Sequence, residues 1–198
     1  MSLHPADPRI RVFDDNAGFY DRWFEENREE YAQELSFIRR HTPQASPSLE
    51  IGAGTGRFAA PLGMDVALEP SREMARLARC RDVEVVRGLA ECVPFHTGTF
   101  SLVLMITVDC YLQDISRSFS EIRRVLSPEG FFVVAFIERK SPLGVYYTKT
   151  REKSRFLSLA NFHTSGEISG YLIQAGFCLP VIYSLSQGFS VLVARPGR

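Results

Sequence analysis

Alternating glycines after a short apolar segment are the feature of this sequence best suited to hold a ligand. Residues 48–56 read SLEIGAGTG, so that glycine occupies every second position from 52 to 56. A buried strand that ends in glycine lets a ligand approach the backbone more closely than a Cβ atom would allow. Residues 57–60 are predicted to begin a helix whose free N–H groups face that ligand. Glu50 precedes the turn, and its charge favours a cationic or hydroxyl-bearing ligand over a bare phosphate.

A second chemical feature is an acidic residue downstream of the glycines. Glu69 ends the next predicted strand, at a spacing suited to a carboxylate that binds the two hydroxyls of a ribose. A carboxylate can accept from both hydroxyls, which explains the residue type. The dinucleotide fingerprint G-x-G-x-x-G/A requires Gly or Ala where Arg57 stands. The spacing therefore disfavours a nicotinamide-dependent oxidoreductase.

Candidates for contact with a second substrate lie at two places. Asp109 and Tyr111 follow the fourth predicted strand, where either is placed to act as a base or hydrogen-bond partner. A capping acid and a packed tyrosine are the open alternative. Tyr20, Trp23 and Phe24 either close over a cationic ligand as a lid or simply pack on the core.

A basic segment follows the fifth predicted strand, at a position suited to a lid over a second substrate. Residues 138–161 contain six basic residues together with Tyr146 and Tyr147. This composition favours an anionic or aromatic second substrate, although a solvated helix face explains the charges equally well. His96 and His163 lie in predicted loops and are weaker candidates for substrate contact.

Composition and charge bound the class of protein. A length of 198 residues predicts one domain over 1–198, and the 23 basic and 23 acidic residues favour neither nucleic acid nor an anionic membrane as a partner. The apolar run over 131–137 is too short to span a bilayer. The four cysteines show no metal-ligand spacing, and the first residues show no signal-peptide pattern. We therefore expect a cytoplasmic protein without a metal.

The elements that must position these groups follow from the hydrophobic periodicity. A helix is predicted over 15–41 within an N-terminal helical lid at 9–41, and the α/β core is predicted over 48–198. Residues 127–130 are predicted to form a turn. Strands are predicted over 48–51, 64–68, 83–86, 100–107 and 131–137, and helices over 71–81 and after Asp114.

The C-terminal third predicts a helix with capping-box spacing at 164–167, stopped by Gly176. Two strands near 179–185 and 189–194 are joined by a connection of hairpin size, which pairs them antiparallel. Alternation of strands and helices elsewhere requires crossover connections. The predicted fold is α/β, a doubly wound, mainly parallel seven-stranded sheet with a C-terminal antiparallel hairpin. In such sheets the ligand lies beyond the carboxyl ends of the strands, where the glycine turn is located.

Taken together, these motifs resemble class I S-adenosylmethionine-dependent methyltransferases over roughly residues 13–194. The pattern E-x-G-x-G-x-G at 50–56 is similar to that family's first motif, and LEPS at 68–71 to its second-strand motif. Residues 88–95 resemble its adenine-side loop, 100–105 its fourth strand and 125–130 the turn before its fifth. Within the family, the aromatic sequence FYDRWF at 19–24 is similar to the small bacterial ubiquinone and menaquinone type, methyltransferase type 11.

The resemblance implies S-adenosylmethionine as cofactor, S-adenosylhomocysteine as product, and roles for matching positions. Gly52, Ala53 and Gly54 would lie against the methionine part and the ribose, with Glu50 orienting the turn or its water and Glu69 holding the ribose hydroxyls. Further cofactor positions implied by the match are Gly56 in the turn, Pro70 and Met74 near adenine, Leu89, Ala90 and Glu91 in the adenine-side loop, and Thr107 beside the methionine part.

Three departures from the family pattern bear on function. Leu89 stands where many relatives carry Asp, and Ser101 replaces an Asp after Phe100. The segment 106–111 lacks the Asn/Asp-Pro-Pro-aromatic signature of amino-group methylation on bases or glutamine, which disfavours those substrates.

Two functions from different classes therefore stand at this point. The first is an enzyme that transfers a methyl group to a small-molecule acceptor by in-line displacement, for which positioning and exclusion of water suffice without a dedicated base. The second is a non-catalytic module that binds S-adenosylmethionine or S-adenosylhomocysteine and assists a partner. The acceptor and the oligomeric state do not follow from the sequence.

Overall fold

The fold is built on one seven-stranded sheet, as seen in a computed structural model that describes residues 7–197. The strand order is β3-β2-β1-β4-β5-β7-β6, with β1 to β5 parallel and β7 antiparallel to both β5 and β6. This confirms the predicted α/β class and the C-terminal antiparallel pair. The strands are β1 Ser48–Ile51, β2 Val66–Leu68, β3 Val85–Val86, β4 Phe100–Ile106, β5 Leu126–Ile137, β6 Val181–Ser184 and β7 Phe189–Ala194.

Helices cover both faces of the sheet, because the central strands are apolar on both sides. All four residues of β1 are buried, and so are six of the seven in β4. Two separate apolar clusters form, one on each face. The helices are α1 Pro8–Asp14, α2 Ala17–Glu26, α3 Arg28–His41, α4 Ala59–Leu62, α5 Arg72–Arg79, α6 Ile115–Val125, α7 Pro142–Thr150 and α8 Ser165–Gln174, and 3₁₀ turns cover Asp109–Tyr111, Arg151–Lys153 and Leu157–Leu159.

The N-terminal region differs from the single helix predicted over 15–41. It forms three helices, α1 to α3, which are interrupted at Asn16 and Asn27. Each asparagine side chain donates to the carbonyl four residues earlier, at 2.8 Å, so that an amide side chain competes with the backbone for that acceptor. The breaks let the three helices bend around one end of the sheet.

Two shorter predictions also need correction. The turn expected at 127–130 is wrong, because these residues continue β5 across a register shift against β4. Gly130 permits this path, since a Cβ atom there would lie 2.8 Å from Leu126 Cγ. The helix expected from residue 57 begins at Ala59 and has only four residues, ending at Gly63 with φ +68°.

Other predicted ends are confirmed. Asp114 caps α6 by accepting from Arg117 N at 2.9 Å. Thr164 and Glu167 form the predicted capping box of α8. Within residues 7–197, no helix combines the length and apolarity needed to cross a bilayer.

Candidate active site

A cavity of about 430 Å³ lies beyond the carboxyl ends of β1, β2, β4 and β5. One side, called here the strand half, is lined by the residues that follow β1, β2 and β3, within 51–54, 68–74 and 88–91. The other side, called the helix half, is lined by residues within 19–34 and 147–162. Residues within 106–113, after β4, and within 7–13, in and before α1, also line the cavity.

The glycine turn forms the floor of the strand half. Gly52 has φ +66° and donates to the Leu68 carbonyl at 2.7 Å, which ties the turn to β2. A Cβ atom at Gly52 would lie 2.5 Å from Val108 Cγ2, so the turn and the end of β4 pack too closely for a side chain. Backbone atoms are therefore exposed to the cavity at this point.

Glu69 is fixed across this turn by two backbone hydrogen bonds. Its Oε2 accepts from Gly54 N and its Oε1 from Ser71 N, both at 2.8 Å. Burial raises the pKa of this carboxyl to about 7, against the lowering effect of the two N–H groups. Each oxygen keeps a lone pair for a further donor, so the carboxylate can accept from a diol that enters the cavity.

Glu50 lies behind the turn instead of on the cavity surface. It is 1% exposed, and its Oε2 has no hydrogen-bond partner among residues 7–197. Burial, followed by the nearby charge of Glu69, raises its pKa well above the usual range.

The end of β4 carries an unusual backbone. Thr107 adopts φ +51°, a left-handed conformation that is strained for a β-branched residue, and its N–H donates to Ala135 O at 2.7 Å. It lines the cavity together with Tyr111. Asp109 instead points away into the core, where its Oδ2 lies 3.0 Å from His163 Nδ1. This pair ties the end of β4 to the segment that precedes α8.

The structure brings together fourteen of the nineteen residues that the sequence put forward for the site. The cavity is lined by Gly52, Gly54, Glu69, Pro70, Met74, Leu89, Ala90, Glu91, Thr107, Tyr111, Tyr20, Trp23, Phe24 and Tyr147. Five others do not line it, namely Glu50, Ala53, Gly56, Asp109 and Tyr146. Tyr146 is 61% exposed on α7.

The helix half is largely aromatic. Phe24 packs edge-on against Tyr20 and Trp23, with ring centroids 5.4 and 5.2 Å apart. The ring centroid of Tyr147, on α7, lies 6.0 Å from that of Phe162. The three N-terminal aromatic residues thus both pack on the core and line the cavity, so the two interpretations of them are compatible.

The basic residues of 138–161 lie elsewhere. Arg139 pairs with Glu167 at 2.8 Å, and the Arg155 guanidinium lies 4.6 Å from the Phe19 ring centroid. Among the lining residues that the structure describes, Arg9 alone is basic. The geometry therefore does not support the predicted role of the basic residues of 138–161 in attracting an anionic acceptor. His96 and His163 also lie outside the lining.

Sequence reasoning missed several contributors. Arg9 and Phe13 of α1 line the cavity, and Asp14 holds α1 in place by accepting from Ser71 Oγ at 2.6 Å. Glu30 and Glu34 of α3 line the helix half. Their i,i+4 spacing, which sets two like charges on one helix face, was the available sign.

Residues that could hold a metal are not grouped anywhere between 7 and 197. In that range no cluster of three or more His, Cys, Asp or Glu side chains has suitable geometry. The cavity instead offers a carboxylate for hydroxyls, exposed backbone atoms and an apolar slot, the usual composition of a small-molecule site.

Comparison with known proteins places this site in context. A family model described as a methyltransferase domain matches residues 49–134. An uncharacterized protein of Methanocaldococcus jannaschii is 36% identical over 168 residues, covering 85% of this chain and 82% of the relative. An uncharacterized Mycobacterium tuberculosis protein is 36% identical over 166 residues, and the match spans 82% of this chain but only 58% of that protein.

A solved structure is similar over nearly the whole chain. A Thermotoga maritima protein described as a SAM-dependent methyltransferase and possible histamine N-methyltransferase superimposes with a TM-score of 0.89. It is 32% identical in sequence, and the match covers 95% of this chain and 99% of that one.

Proposed function

Because the chain belongs to the S-adenosylmethionine-dependent methyltransferases, we propose that it moves a methyl group to a small-molecule acceptor bound in the helix half of the cavity. The observation that carries the proposal is the Glu69 carboxylate, held across the glycine turn and open to a diol. The chemistry of the cofactor comes from its sulfonium, which activates the methyl group for direct in-line displacement.

The residues of the strand half suit each part of the cofactor. Glu69 would accept from the ribose hydroxyls, and Met74 with Leu89 and Ala90 would form the apolar slot for adenine. Gly52 and Gly54 would leave room for the methionine part beside Thr107. Glu50, Ala53 and Gly56 would support the turn without direct contact, since they do not line the cavity.

The helix half would position the acceptor and exclude water. Aromatic rings from α2 and α7 surround it, and Tyr111 offers a phenol at the end of β4. Burial raises the pKa of Tyr111 well above its ordinary value, so its hydroxyl would remain a neutral donor near pH 7. Alignment in a closed space lowers the barrier of such a displacement without a dedicated base.

Isothermal titration with S-adenosylhomocysteine, followed by assay of S-adenosylhomocysteine formation, tests this function. We expect saturable binding at one site per chain, and turnover when a pooled metabolite extract is added. Absence of binding would overturn the proposal. Tight binding with no turnover in any extract would instead support a non-catalytic module.

A further inference from the structure

The cavity has an excess of acidic side chains that the proposed cofactor does not use. Among residues 7–197 the lining includes one basic residue, Arg9, and five acidic ones, Asp7, Glu30, Glu34, Glu69 and Glu91. Three of the five have a role or a partner. Asp7 pairs with Arg9 at 2.9 Å, Glu91 accepts from Gln113 N at 3.0 Å, and Glu69 faces the ribose position. Glu30 and Glu34 remain.

Glu34 of α3 lines the helix half of the cavity together with Tyr20 of α2 and Tyr147 of α7. Burial first, and then the charges of Glu30 and Glu34, raise the pKa of Tyr147 to about 12. The pKa of Tyr20 is raised by burial and by the charges of Glu69 and Glu34. Glu34 therefore belongs to the helix half of the cavity, whereas Glu69 belongs to the strand half.

The Glu34 carboxyl has no partner of its own. It makes no hydrogen bond with the residues that the structure describes, and burial together with the charge of Glu30 raises its pKa to about 8. The other titratable side chains that line the helix half are Glu30 from α3, Tyr20 from α2 and Tyr147 from α7, none of them cationic. Both residues are half-buried, and two like charges at i,i+4 repel each other, so that a bound cation would relieve the repulsion.

The surrounding rings suit the same kind of ligand. Trp23, Phe24 and Tyr147 line the same half of the cavity as Glu34, and aromatic faces attract cations. The basic residues that would attract an anion lie outside the lining. Charge and ring chemistry therefore point to one class of acceptor.

We propose that the acceptor is a small cationic amine, and that Glu34, assisted by Glu30, holds its ammonium group in the helix half of the cavity. This inference rests on the proposed methyl transfer and specifies its substrate class. Glu34 then also has a place for a proton. The ammonium gives one proton to the Glu34 carboxylate, which leaves the nitrogen with a free electron pair.

That electron pair forms the new N–C bond to the methyl group. The electron pair of the broken S–C bond stays on sulfur, which becomes the neutral thioether of S-adenosylhomocysteine. The product is a methylammonium ion, so the single net positive charge of carboxylate, ammonium and sulfonium is conserved. Glu34 would release its proton to solvent when the product leaves.

Trp23 provides a direct test of amine binding, because it is the single tryptophan of the chain and lines the cavity. The probes are 2-phenylethylamine, its neutral analogue 2-phenylethanol and the anion 3-phenylpropanoate, each titrated into the protein saturated with S-adenosylhomocysteine. We expect the amine to bind at least tenfold more tightly than either analogue. Equal binding, tighter binding of the anion, or no binding of the amine would overturn the inference.

Matched variants assign the effect to Glu34. Glu34→Gln should reduce amine affinity about tenfold, Glu30→Gln less, and Glu29→Gln not at all, since Glu29 lies on the same helix outside the lining. S-adenosylhomocysteine affinity should change less than threefold in all three variants. A larger change in Glu34→Gln would assign this carboxylate to the cofactor and overturn the inference. If the unmodified protein does not bind S-adenosylhomocysteine, the proposed function itself fails.

Discussion

The strand half of the cavity is held by backbone atoms, whereas the helix half is held by side chains on α2, α3 and α7. In the strand half, Gly52 is fixed by a hydrogen bond to the Leu68 carbonyl of β2, and the Glu69 carboxyl by one from the Gly54 N–H of the glycine turn. In the helix half, aromatic rings pack on one another, Trp23 on Phe24 and Tyr147 on Phe162. Backbone bonding suits a site for one invariant ligand, and packed side chains suit a site that can differ between related proteins.

Substitution of Gly52 should have the largest effect, because it acts on the backbone of the strand half. In Gly52→Ala the new Cβ atom would lie 2.5 Å from Val108 Cγ2, and φ +66° is strained for alanine. Displacement of the turn should weaken S-adenosylhomocysteine binding by roughly 100-fold or more, about 2.7 kcal/mol. Isothermal titration measures this loss of S-adenosylhomocysteine affinity.

Gly98→Ala is the matched control for that change. Gly98 has φ +71° and no atom within 4 Å of an added Cβ, so alanine there meets the same backbone strain without a clash. It should cost about 1 to 2 kcal/mol of unfolding free energy and leave ligand binding intact. Equal loss of binding in both variants would show that the close approach at Gly52 is not needed.

Glu69 should have the next largest effect on S-adenosylhomocysteine binding, and this effect should depend on pH. Only the ionised carboxylate accepts from both ribose hydroxyls, and the pKa near 7 in the ligand-free protein means that protonation competes with binding below that pH. S-adenosylhomocysteine affinity should therefore fall as the pH drops from 7 to 5, by up to about tenfold per pH unit. Above pH 8 it should be level.

Glu69→Gln should weaken binding roughly 10- to 100-fold at pH 8, since a hydrogen bond to a charged group is worth about 1.5 to 3 kcal/mol. It should also remove the pH dependence. Adenosine and 2′,3′-dideoxyadenosine provide the control, because the variant should lose affinity for the first and not for the second. Equal losses for both nucleosides would place the damage in the turn rather than at the diol.

The contrast between the strand half and the helix half also explains which parts of the site the sequence could predict. Glycine spacing and Glu69 are local signals, because a turn that exposes backbone needs particular residues at fixed positions. The fold class followed from the alternation of strands and helices. In the helix half the sequence predicted Tyr20, Trp23 and Phe24, but Glu30 and Glu34 look like ordinary solvated helix residues until α3 is placed beside the sheet. Likewise, only tertiary packing shows that Asp109 faces His163 and that the basic residues of 138–161 do not line the cavity.

Titration of the helix half should differ from that of the strand half. A phenylethyl-trimethylammonium ion keeps its charge at every pH, so its affinity reports on the protein alone. The pKa of Glu34 near 8 means that this carboxyl is largely neutral at pH 6 and ionised at pH 9. As the pH increases from 6 to 9, affinity for the ion should rise by about tenfold in total, the same factor that separates the carboxylate from a neutral side chain; Trp23 fluorescence measures it. In Glu34→Gln it should be nearly independent of pH, and an unchanged profile there would assign the titration to another group.

The smallest predicted effect tests whether the two halves are mechanically linked. Arg57 follows the glycine turn and binds Asp21 of α2 through two hydrogen bonds of 2.9 Å, and Arg81 adds a third at 2.8 Å. Burial tends to raise the pKa of Asp21, but the hydrogen bonds from these arginines outweigh it and lower the pKa to about 2. This contact is the link between the turn and the helix that carries Trp23.

Asp21→Asn should therefore loosen the helix half and spare the strand half. We expect a loss of about 1 to 2 kcal/mol of unfolding free energy and a two- to threefold weaker amine-probe affinity, with S-adenosylhomocysteine affinity unchanged. Because the pKa of Asp21 is lowered, its stabilising effect is complete above its ordinary value of 3.8 and disappears as the pH falls through 2. The stability difference from the unmodified protein should thus be constant from pH 5 to 8 and vanish near pH 2. Asp15→Asn, which removes an exposed partner of Arg11, should change neither quantity. Equal weakening of both ligands by Asp21→Asn would mean that α2 supports the whole cavity, and the separation into two halves would fail.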